Sequence, residues 1–165
     1  YRALYEPREG AAAALAVETR FAFEKNAIVW TLTLRNRSGM PLEVGDLAVR
    51  FGLTDHPVDT LAVRVDGAGR SLLYSADTGS AWDPRPLGTG VDVLLCEASL
   101  PAAEEDRFEH LSGRQAGAYA TALGAGRLVL THIAPGVDPD GQRRAAAGEY
   151  GGPIEGATPG AVFPI

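Results

Sequence analysis

The chain has 165 residues, 45% of them apolar, which suits a folded unit with a real core and excludes a disordered chain. A net charge of −6 excludes a general grip on nucleic acid through a basic surface. The single cysteine, Cys96, cannot close an intrachain disulfide, and no apolar run reaches membrane-spanning length, so a cytoplasmic protein with no membrane partner is expected.

The chain opens at YRALYEPREG without Met and with no signal-peptide pattern, which reads as a processed product, a fragment or a composite. Tyr1–Gly10 is polar and mixed and reads as a loop or a frayed end. Ala11–Val17 is Ala-rich and reads as a short helix. From Glu18 the period changes to two. Phe21 and Phe23 alternate with Arg20 and Glu24; Trp30, Leu32 and Leu34 alternate with Thr31, Thr33 and Arg35; Leu47, Val49 and Phe51 alternate with Asp46 and Arg50. Asn36-Arg37-Ser38-Gly39, with Pro41 beyond it, marks a turn. Residues 18–53 therefore read as an antiparallel meander with one wet face. Residues 1–53 make an N-terminal β-rich segment, expected to form one compact unit with residues 54–165.

Thr54-Asp55-His56-Pro57 interrupts the alternation. Leu61–Val65 and Ser71–Ser75 read as strands joined in a hairpin by the turn Asp66–Gly69. Trp82–Gly90 is a Pro/Gly-rich loop, Val91–Cys96 a buried strand, and Pro101–Glu109 an acidic loop. Ser112 with Gln115 fits a capping box, and Ala116, Tyr119, Ala120 and Leu123 follow on one helical face until Gly124 stops it. Leu128–Leu130 is a second buried strand. Asp138-Pro139 opens a second helix that Gly151-Gly152 ends, and Ile154–Ala157 and Ala161–Ile165 read as short final strands. The second half is β-α-β-α-β, which makes the fold class α/β (α+β with the meander).

Residues able to bind metal or move protons stand where the apolar runs end. Asp77 follows SLLYSA, Glu97 follows VDVLLC, His132 follows RLVLT, and His110 opens the first helical segment. Polar residues at strand ends, rather than along strands, point to a site at one edge of a sheet. His56, Asp77 and His132 suit a mixed nitrogen and oxygen metal site. They equally suit two loop histidines and a turn aspartate in Asp77-Thr78-Gly79. Glu97 and His110 suit an oriented pair for proton transfer, or an exposed acid and a helix-flanking histidine. Cys96 reads as a small buried apolar residue.

Taken in order, TDHP, YSADTG, LLCEAS, HLSGRQAG and RLVLTHI resemble the C-terminal half of the metallo-β-lactamase superfamily, in its ribonuclease Z-like phosphodiesterase branch. The resemblance covers residues 54–165 and implies the C-terminal half of an αββα sandwich. It implies His56, Asp77 and His132 as metal ligands, with Asp77 bridging two zinc ions; manganese is the alternative ion. LLCEAS resembles the branch's HEAT motif and HLSGRQAG its HST motif, which implies a Glu97–His110 pair that protonates the leaving oxygen. The implied substrate is a phosphodiester: an RNA 3′ end, a cyclic nucleotide or another small diester.

Two departures bear on these expectations. Cys96 stands where the HEAT motif has its histidine, and the HxHxDH cluster of the family is absent, because residues 1–53 contain no histidine. Each metal would keep two protein ligands, one fewer than a catalytic zinc site typically has. Weak or no metal binding, and doubtful activity, is the expectation for this chain alone. Residues 18–50 resemble instead a bacterial β-sandwich module. Two other readings follow: a non-catalytic half-domain completed by a second copy or a complementing chain, and a β-sandwich binding module using Trp30.

Overall fold

The structure, a computed structural model, describes residues 2–5, 15–24, 27–36, 48–163 and 165. The chain divides into two compact units, Tyr1–Val44 and Gly45–Ile165. The first holds an antiparallel sheet of β1 (Arg2–Tyr5), β2 (Leu15–Glu24) and β3 (Ala27–Asn36), in that order. The alternation over 18–35 is thus strand pairing, with Phe21 opposite Trp30 and Thr19 opposite Leu32.

Two expectations for this unit are corrected. Arg2–Tyr5 is a strand rather than a frayed end, because β2 supplies a full pairing partner. Leu15–Val17 is strand rather than helix, since pairing with Leu34–Asn36 outweighs the weak helical preference of alanine-rich sequence. The rest of that predicted helix, residues 11–14, and the turn at 37–41 lie outside the described residues.

The second unit is a six-stranded sheet in simple order: β4 (Ala48–Leu53), β5 (Leu61–Gly67), β6 (Arg70–Tyr74), β7 (Val93–Glu97), β8 (Leu128–Thr131) and β9 (Ile154–Gly156). β4 to β6 run antiparallel and β6 to β9 parallel. The expected single meander over 18–53 ends before β4, which joins this sheet. Its apolar positions pair in register with those of β5: Val49 with Val65, Phe51 with Val63, Leu53 with Leu61. β4 is an edge strand, and its Phe51 is 56% exposed.

The parallel strands carry the core. Leu94, Cys96, Leu128 and Leu130 are fully buried in one cluster with Ala116, Ala120 and Leu123 of α1 (Gly113–Leu123) and Ala146 of α2 (Pro139–Ala147). α1 begins at the predicted capping box: Gln115 N–H donates to Ser112 Oγ, and Ser112 N–H to Gln115 Oε1. It ends at Gly124 in the left-handed region. α2 stops at Ala147, short of the predicted Gly151. There Gly148 and Tyr150 turn back onto the carbonyls of Ala145 and Ala146, and the Tyr150 hydroxyl is anchored on the Ala125 carbonyl. Residues 161–163 form no strand, because a turn at Thr158–Ala161, with Gly160 at φ 82, takes the chain off the sheet.

The contact between α1 and α2 sets where the site begins. Gly113 and Gly117, one turn apart, face Gln142 and Ala146, also one turn apart. A Cβ on either glycine would overlap a backbone carbonyl of α2. The buried Gln142 side chain accepts the Gly113 N–H and donates to the carbonyls of Ala98 and Leu100. α2 thereby holds both the segment after β7 and the start of α1. Helix propensity alone makes Gly117→Ala stabilising by about 1 kcal/mol. The close approach predicts the opposite, a loss of about 1–3 kcal/mol from overpacking. Urea unfolding of the variant checks this; a raised midpoint would contradict the packing account.

Candidate functional site

The parallel strands deliver their side chains to one edge. Glu97 is the last residue of β7, His132 the first after β8, and Asp77 lies three residues beyond β6. Ligands of open α/β sheets bind beyond the carboxyl ends of the strands, where these residues stand. The turns that follow are strained. Ala76 has φ 53 and His132 φ 51, both in the left-handed region that non-glycine residues seldom enter. The TDHP segment is tied to the same edge by its backbone. Gly79 N–H donates to the Asp55 carbonyl, Asp55 N–H to Thr78 Oγ1, and Thr54 Oγ1 to the Asp77 carbonyl. His56 is carried by that loop, and its Nδ1 lies 3.1 Å from Thr60 Oγ1.

Glu97 organises the centre. Its side chain is fully buried, so every acceptor position needs a protein donor. Oε1 accepts the Thr78 N–H at 2.7 Å and stands 2.8 Å from His110 Nδ1. Oε2 accepts the Ser99 hydroxyl at 2.8 Å. The alternative of an exposed acid is thereby excluded. Among the described residues no buried side-chain polar atom is left without a partner. Nearby, burial pushes the Tyr74 hydroxyl up, and the charges of Asp77 and Glu97 add to it. Burial also pushes the Cys96 thiol up to about 12, so it stays a neutral, inert side chain, as its apolar reading requires.

The His110 ring contacts the rings of both other histidines. Ring centroids are 5.5 Å apart for His56 and His110, and 5.4 Å for His110 and His132. Ligand atoms of His56, Asp77 and His110 all lie within 4.8 Å of one another, as do those of Glu97, His110 and His132. His132 Nδ1 is 3.0 Å from Asp77 Oδ1. His110 belongs to both groups, so the five residues singled out from the sequence adjoin one another, while His56 and His132 fall in different groups. Imidazole nitrogens with carboxylate oxygens are a donor set that suits zinc or manganese, so the residues present fit a divalent ion.

Ser99 was missing from the sequence-based set. Its buried hydroxyl stands 3.1 Å from His132 Nδ1 and 2.7 Å from the His132 carbonyl, as well as on Glu97. With one proton to give, the hydroxyl lies within hydrogen-bond reach of both the acid and the strained backbone of His132. The only signal for it was a hydroxyl two residues after the glutamate in LLCEAS, which a serine in any turn would also give.

The beta-lactamase superfamily domain matches residues 5–133. The chain belongs to the metallo-β-lactamase superfamily. The matched span includes residues 18–50, which by sequence alone resemble a β-sandwich module. The chain is 36% identical over 129 residues to the uncharacterized protein ML1173 of Mycobacterium leprae, across 77% of this chain and 45% of that protein. It is 40% identical over 86 residues to ribonuclease BN of Escherichia coli, across 50% of this chain and 28% of that one. The crystal structure of the metallo-beta-lactamase fold protein YhfI from Bacillus subtilis superposes with a TM-score of 0.68 at 29% identity, over 76% of this chain and 52% of YhfI. The chain spans about half the length of ML1173 and YhfI. Metallo-β-lactamase-fold hydrolases bind metal, and the His/Asp/Glu cluster is the candidate place for it here. No helix among the described residues is long and apolar enough to cross a membrane.

Removing the Ser99 hydroxyl leaves Glu97 Oε2 short of its main donor. Ser99→Ala is expected to cost about 2 kcal/mol, the scale of a buried hydrogen bond to a charged group, and Ser99→Thr to restore most of it. Thermal unfolding of both variants checks this; equal losses for alanine and threonine would show that the hydroxyl is not what matters.

Proposed function

We propose that this chain carries the site of a metal-dependent phosphodiester hydrolase of the ribonuclease Z-like kind, working in the cytoplasm with zinc, or alternatively manganese. The observation that carries the reading is the buried Glu97 carboxylate on His110 Nδ1, set beside Asp77, His56 and His132. Likeness to ribonuclease BN and to YhfI, described as a probable metallo-hydrolase, supports it. The buried free thiol of Cys96 suits a reducing compartment.

His56, Asp77 and His132 would hold the metal. When bound, it supplies Lewis-acid stabilisation of charge on the phosphoryl oxygens and acidifies water. The rest falls to the chain. Glu97 fixes the His110 ring through Nδ1, which leaves Nε2 as the nitrogen that can hand over a proton. A water oxygen joins phosphorus, the ester P–O bond breaks, the departing oxygen takes the Nε2 proton, and the proton that the water gives up returns to Nε2. Thr78 N–H and Ser99 hold Glu97 so that the pair does not drift from this geometry.

A second reading rests on β4. Its exposed edge, with Phe51 and Leu53 in solvent, suits pairing with a second copy or a complementing chain, without catalysis.

Hydrolysis of bis(p-nitrophenyl) phosphate with added zinc or manganese tests the proposal. The chain should release p-nitrophenolate, and His110→Ala should lower kcat at least ~100-fold, the usual contribution of a positioned proton donor. No metal-dependent release by the unmodified chain would sink it. Stable oligomers in sedimentation velocity without any release would favour the second reading.

A further inference from the structure

The histidines share a cleft of about 450 Å³ with a wall that the hydrolase reading leaves unused: Pro57, Leu100, Phe108, Ile133 and Pro135. A mostly apolar wall with a few convergent polar groups is the usual build of a small-molecule site. Phe108 is the largest ring in it and is 57% exposed, a large apolar surface left in water. Its segment is pinned rather than loose. The His110 N–H donates to the Phe108 carbonyl at 2.8 Å, which ties the ring's backbone to the proposed proton donor. Two residues earlier, Asp106 sits at φ 63, and its Oδ1 takes hydrogen bonds from Ser80 and Gln115. The backbone that carries the Phe108 ring is therefore held beside His110.

Charge narrows what can lie there. Among the described residues that line the cleft there is no Lys or Arg, and Glu109 adds an acid. Arg107 precedes Phe108 but does not line the cleft. A polynucleotide brings a phosphate with every residue and needs cations to meet them. A single diester brings one charge, which the histidine and metal side of the cleft can take.

We infer that the site takes a small phosphodiester bearing an aryl or similarly flat apolar group, which lies against Phe108, in preference to a polynucleotide. The phosphodiester part rests on the hydrolase reading; the aryl part rests on the cleft wall.

Isothermal titration with diphenylphosphinate, dimethylphosphinate and a short oligoribonucleotide tests it, on the full chain with and without zinc. Both phosphinates carry one negative charge and have no ester bond to cleave. Diphenylphosphinate should bind about tenfold more tightly than dimethylphosphinate, the scale of one aromatic contact. Phe108→Ala should remove most of that preference and leave dimethylphosphinate unchanged, whereas Phe108→Trp should keep it. Equal affinities, a preference that survives Phe108→Ala, or tighter binding of the oligoribonucleotide would each overturn the inference. An aryl preference without hydrolysis of bis(p-nitrophenyl) phosphate keeps this subsite and removes the hydrolase reading. Hydrolysis without an aryl preference does the reverse.

Discussion

A carboxylate with no access to water can persist only if the protein supplies its donors. Glu97 is that group, and meeting its needs accounts for much of the site's geometry. Left unpaired, a buried charge costs several kcal/mol, more than a marginally stable domain can spare. The Thr78 N–H, the Ser99 hydroxyl and His110 meet it from three separate segments. Two of those segments also bear or adjoin another candidate residue: Asp77 before Thr78, and His132 against Ser99. The constraint on one acid therefore gathers the whole cluster.

The helices serve the same end from behind. Gln142 and the glycine pair of α1 bring the two helices close enough for α2 to grip the chain just after Glu97 and again just after His110. The left-handed backbones of Ala76 and His132 are strained features of the kind that persist where surrounding structure over-determines them. Both lie at strand ends that face the cluster.

How far the sequence could be read depended on the scale of each signal. The parallel strands, α1 and the hairpin were legible because their apolar periods and caps are local. Four of the five candidate residues were marked locally, since Asp77, Glu97 and His132 close apolar runs and His110 opens a helical segment, whereas His56 was marked by the break at TDHP. Residues 15–17 were not, since only pairing with β3 decides between helix and strand for an alanine-rich segment. The placement of β4 was not, because alternation describes a strand without naming its partner; register with β5 did that. Ser99 was invisible because its contacts with His132 exist only once β7 and β8 are side by side. The missing HxHxDH cluster argued for weak metal binding. What the sequence did not reveal is that the His110 ring contacts both other histidines.

The central claim is that these residues hold a divalent metal. Equilibrium dialysis against zinc and against manganese, followed by elemental analysis of the unmodified chain and of His132→Ala, tests it most directly. The account predicts bound metal in the unmodified chain and its loss in the variant. Metal-free protein in both, or equal metal in both, would contradict it.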